Sequence, residues 1–139
     1  MTGRFLIGTD EAGYGPNLGP LTVAATAWHL PGDVEPLAMW SLLKSVLTCT
    51  PERGDHRLFV ADSKKVFSPG EGLESLEVPV LAFLNLIKAN TSTIDQLCRS
   101  VSMLSQAAPF FDAYRAEAWN SVPGLTLPVD SSEDHIREW

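Results

Sequence analysis

The residues best suited to chemistry lie near the start of the chain. Asp10 and Glu11 are adjacent carboxylates within Gly8-Thr9-Asp10-Glu11-Ala12-Gly13-Tyr14-Gly15-Pro16, where an apolar run gives way to a stretch dense in glycine and proline. Hard divalent cations require oxygen ligands, and magnesium is commonly held by one or two carboxylates together with substrate phosphate. Side chains that follow one another on a strand face opposite sides. Asp10 and Glu11 can therefore share an ion only if the strand ends between them and the chain turns at Ala12-Gly13, a turn that glycine permits. An isolated Asp-Glu pair is more often a hydrated surface turn, so the surrounding residues must decide between the two.

Those residues carry a resemblance. The segment Gly8 to Ala24, GTDEAGYGPNLGPLTVA, resembles the opening motif of the ribonuclease HII family. In that motif a strand ends in Asp-Glu-Ala-Gly, followed by Arg-Gly, a proline and a Gly-Pro before the next strand. Asp62-Ser63-Lys64-Lys65-Val66 resembles the Asp-Ser-Lys-Lys-Leu motif that follows in the same family at the head of a helix.

The resemblance implies an α/β fold of the ribonuclease H-like kind, a mixed sheet with covering helices. It implies Asp10 and Glu11 as metal ligands and catalytic carboxylates, with Mg2+ or Mn2+ as cofactor. It assigns Gly13, Tyr14 and Gly15 to reading a ribose 2′-hydroxyl, where glycine leaves room for close approach of backbone to sugar. Ser63 and Lys64 would contact the nucleic-acid backbone, a hydroxyl and an ammonium both suiting phosphate oxygens; Ser63 also suits a helix cap. The implied chemistry is phosphodiester hydrolysis by two ions about 4 Å apart, which needs no nucleophilic side chain.

Two departures stand out. Tyr14 occupies the place where the family usually has arginine beside the scissile phosphate, and a phenol brings a hydrogen bond without charge. The segment Pro36 to Leu47 is inserted where the family usually passes more directly from its second strand to the Asp-Ser-Lys block. The resemblance also implies two further carboxylates well downstream. Asp130 ends the apolar run Leu125 to Val129, but Pro128 suits a central strand poorly and Ser131 replaces the usual glycine, so Asp130 is not expected to be a ligand. Residues 1–139 are accordingly expected to be one ribonuclease HII-like domain, its N-terminal part, incomplete at the C-terminus.

The elements that must position these residues are legible from periodicity. Phe5 to Asp10 and Leu21 to Leu30 read as strands joined by about ten residues, which suggests an antiparallel pair with a shaped loop. Leu37, Trp40, Leu43 and Leu47 recur at helical spacing behind Pro36, predicting a helix over 36–47. Arg57 to Ala61 is a short apolar run that delivers Asp62, and Ser68-Pro69-Gly70 is a turn. Leu73 to Ile87 is helical in pattern with an expected break or kink at Pro79. A helix from Ser92 to Leu104 is expected, with Ser92 as its cap and Asp95 at its positive end, and a shorter one from Asp112 to Trp119. The tail after Val122 reads as irregular until His135.

Composition bounds the rest. With 139 residues, 45% hydrophobic and 19% charged, the chain can build one cored domain, and no apolar run is long enough to span a bilayer. The start has no signal-peptide pattern, so a cytoplasmic location is expected. Cys49 and Cys98 are expected to be reduced and mostly buried. Trp28, Trp40 and Trp119 are core candidates, and His29, His56, Asp134 and His135 fit structural or solvated roles. The excess of 17 acidic over 10 basic residues, a net charge of −7, opposes a simple nucleic-acid reading, since phosphate binding usually shows a basic face. Bound cations would offset it locally.

The expected function is metal-dependent cleavage of the RNA strand in RNA/DNA hybrids or ribonucleotide-containing DNA. The rival reading is a nucleic-acid-binding or assembly module that keeps the fold without the chemistry, as Tyr14, the acidity and the chain length allow.

Overall fold

A computed structural model describes residues 3–11, 22–101, 112, 113, 115–117 and 124–139. The chain is mixed α/β and forms two compact units, residues 1–45 and 46–139.

The first unit is built on a hairpin. Strand β1 (Arg4–Glu11) pairs antiparallel with β2 (Val23–Leu30), as the two apolar runs predict, in a register that sets Arg4 opposite Leu30 and Glu11 opposite Val23. Opposed residues share a face. One face therefore carries Leu6, Trp28 and Leu30, the last of which is buried. The other carries Phe5, Ile7 and Val23, which are 70%, 66% and 64% exposed. Arg4 ties the start of β1 to the turn after β2, donating to the Gly32 carbonyl at 3.1 Å and to Glu35 Oε1 at 3.1 Å.

The helix expected over 36–47 is much shorter. A 3-10 turn over Pro36–Ala38 leads into α1 (Met39–Leu43), and Leu47 lies instead in strand β3 (Leu47–Thr48). Neither N-cap residue, Glu35 or Ala38, makes a side-chain capping bond. Leu37 is 92% exposed, so the apolar spacing here does not mark one buried stripe. Trp40 is likewise exposed and Trp28 half-buried, while Trp119 lies outside the described residues.

The second unit holds the larger core. Strand β3 pairs in parallel with β4 (Leu58–Phe59), and helix α2 (Ser63–Val66) follows directly. Helix α3 (Glu74–Leu86) buries Val78, Leu81 and Ala82, and α5 (Glu133–Arg137) packs on it through the buried Ile136. Burying a side chain such as Ile136 contributes about 1.5–3 kcal/mol. Pro79 does not interrupt α3. It removes one amide donor, the one that would meet the Ser75 carbonyl, and the buried residues on either side hold the helix.

Helix α4 (Ile94–Val101) starts later than expected, and its cap is Thr93 rather than Ser92: Thr93 Oγ1 accepts from the Gln96 amide at 3.2 Å. Ser92 instead uses its carbonyl to accept from the Leu127 amide, because Thr93 forms an antiparallel bridge with Thr126. Asp95 lies in the first turn of α4 and pairs with Arg115, a structural role as expected. Asp112, Ala113, Arg115 and Ala116 are helical and Glu117 is in a bend, so the helix predicted there ends earlier than expected at this point; residues 114, 118 and 119 lie outside the described residues, as do 102–104. Among the described residues no helix is long and apolar enough to cross a membrane. Cys49 is exposed and Cys98 half-buried, both free, so the expectation of two mostly buried thiols fails at Cys49.

Candidate functional site

The adjacent carboxylates Asp10 and Glu11 sit at the end of β1. The strand runs through both of them, with Asp10 opposite Ala24 and Glu11 opposite Val23. It does not end between them, which is the condition for a shared ligand. Strand alternation instead sets Asp10 on the face of Leu6 and Trp28, and Glu11 on the face of Phe5 and Ile7. Asp10 Oδ1 accepts from the Glu11 amide at 3.0 Å, so the carboxylate leans toward the backbone that follows it. Both residues are exposed.

Carboxylate oxygens at this position are the right donors for magnesium or manganese. Asp10 fits that role alone; for Glu11 to reach the same ion the backbone must leave strand geometry at one of the two residues. Gly13, Tyr14 and Gly15, the expected readers of the ribose, lie outside the described residues. Among the described residues no group of three or more His, Cys, Asp or Glu could hold a metal ion.

Ser63 and Lys64 belong to the second unit, at the head of α2, where the motif was expected to place them. Both are exposed. The cap is Asp62 and not Ser63: Asp62 Oδ1 accepts from the Lys64 amide at 2.9 Å. The Ser63 hydroxyl is not consumed by the capping bond. The Ser63 carbonyl accepts from the Phe67 amide at 2.8 Å, and Ser75 Oγ donates to the Val66 carbonyl at 3.1 Å, which anchors this short helix to α3.

Asp130 has a structural partner. Its Oδ2 accepts from the Leu73 amide at 2.6 Å, at the start of α3, in place of the cap side chain that Leu73 lacks. Gly72 makes room for this contact: its φ is +75°, and a Cβ there would stand 2.8 Å from Asp130 Oδ2. The spacing of glycine and acid in the sequence offered no signal for a bond between residues so far apart.

Among the described residues, the strongest electrostatic perturbation lies in the loop before β4. Arg57 donates to Asp55 through Nε at 2.9 Å and through a terminal nitrogen at 2.6 Å, and its amide donates at 3.0 Å. The guanidinium bonds, followed by the amide bond, lower the Asp55 carboxyl to about 2. The guanidinium bonds in turn raise Arg57. A two-residue fork of this kind sets the loop entering β4. His56, between them, is exposed. Burial raises the Cys98 thiol, and the charge of Asp95 adds to it.

A small cleft of about 130 Å³ opens beside α3, with Asn85, Thr91, Ser92, Glu133 and Arg137 among its lining residues. None of the residues expected to do chemistry lines it. His135, at its helix, stands with Nδ1 3.2 Å from Glu74 Oε1.

Comparison with known proteins gives no match: no protein-family model, no curated protein and no solved structure aligns significantly with the chain.

Proposed function

We propose that this chain is a divalent-metal-dependent endoribonuclease of ribonuclease HII type, acting on the RNA strand of RNA/DNA hybrids or on ribonucleotide-containing DNA, with Asp10 as its principal metal ligand. The observation that carries the reading is the ordered pair of motifs, GTDEAGYGPNLGPLTVA and Asp62-Ser63-Lys64-Lys65-Val66. The first begins at the carboxylate end of β1 and finishes on β2; the second opens α2.

Asp10 offers an exposed anionic oxygen donor at the end of a strand. Glu11 stands on the opposite face, so it is the weaker contributor unless the strand end rearranges. A bound divalent cation would supply an activated water and neutralise charge at a phosphate. The exposed hydroxyl of Ser63 and ammonium of Lys64 suit phosphate oxygens, and the Gly13 to Gly15 backbone suits a 2′-hydroxyl.

Manganese relaxation titration, together with cleavage of a hybrid duplex, tests this. Asp10→Asn should weaken manganese binding clearly and Glu11→Gln less so. Binding by residues 1–139 should be weak and cleavage slight, because two of the four carboxylates that the resemblance implies are not matched here. Equal manganese binding by the parent and Asp10→Asn would remove Asp10 from the site.

A second reading, a nucleic-acid-binding or assembly module without the chemistry, is favoured by one observation. Asp130, the acid that ends the downstream apolar run, gives its carboxylate to the Leu73 amide. Metal-independent binding of the hybrid, with no cleavage at any metal concentration, would select it.

A further inference from the structure

We draw no further inference here: the strongest candidate, the apolar face of the β1–β2 hairpin that carries Phe5, Ile7 and Val23, is an exposed sheet face and nothing in the structure shows what covers it.

Discussion

Glu77 and Asp130 hold each other's backbone neighbourhood in place. The Glu77 carboxylate accepts from the amides of Val129 at 2.5 Å, Asp130 at 2.8 Å and Ser131 at 3.1 Å. Asp130 in turn accepts from the Leu73 amide at the start of α3. The first turn of a helix has amides without intrahelical partners and a partial positive charge, so an acid arriving there satisfies both. The clasp secures the tail that carries Ile136 into the core of the second unit.

Removing the clasp should cost stability. Glu77→Ala leaves three amides to find other acceptors and is expected to lower unfolding free energy by roughly 1–3 kcal/mol, the scale for losing charge-assisted hydrogen bonds. Glu77→Gln, which keeps one oxygen acceptor, should cost less. Urea unfolding followed by circular dichroism measures both, and an unchanged midpoint for Glu77→Ala would show that the clasp holds nothing.

The Asp55–Arg57 fork gives stability a pH dependence. The folded Asp55 carboxyl is held at about 2, below its ordinary value of 3.8. A lowered acid contributes stability that is present above the unfolded value and is lost as pH falls through the folded one. The parent should therefore lose thermal stability between about pH 4 and about pH 2 more steeply than Asp55→Asn. Parallel Tm-against-pH curves for the two proteins would contradict this.

The thiols should differ in reactivity. Cys49 is exposed, whereas Cys98 is half-buried and its thiol is raised by burial and by the Asp95 charge. Since the thiolate is the nucleophile, iodoacetamide at mildly alkaline pH should modify Cys49 first. Peptide mapping at short times reads the order. Asp95→Asn should speed Cys98 modification modestly; Cys98 reacting ahead of Cys49 in the parent would be the contrary result.

Tyr14 stands where the resembled family carries arginine. If this loop faces phosphate, Tyr14→Arg should tighten hybrid binding by about 1–2 kcal/mol and steepen its salt dependence, the effect of one added charge-assisted contact. Anisotropy at several salt concentrations on hybrid, DNA duplex and RNA duplex provides the comparison. No change in affinity or slope on any of them would separate the loop from phosphate.

Much of the local structure was legible before any coordinates. The hairpin follows from two apolar runs flanking a Gly/Pro-rich connection, because it depends on residues close in sequence, whereas the helix opening at the Asp-Ser-Lys block was implied only by the motif resemblance. The choice of cap was less legible. Asp62 and Ser63, like Ser92 and Thr93, are neighbours of similar capping ability, and a difference of one residue in where the helix begins selects between them. Pro79 misled for a related reason: its local cost is one lost hydrogen bond, and the burial of Val78, Leu81 and Ala82 outweighs it.

The sequence by itself singled out Asp10, Glu11, Ser63 and Lys64 as candidates for chemistry and indicated the strand end and helix head on which they lie. Only the tertiary structure decided how those elements use their acids. Continuation of β1 through Glu11 separates the two adjacent carboxylates onto opposite faces, a consequence of strand pairing with β2 rather than of either residue's identity. Asp130 and Glu77, 53 positions apart, are drawn into hydrogen bonds because α3 and the tail pack together and bring the Glu77 carboxylate within reach of the tail's amides. Short-range pattern fixes backbone conformation; which side chains then meet is set by packing between segments that local sequence does not register.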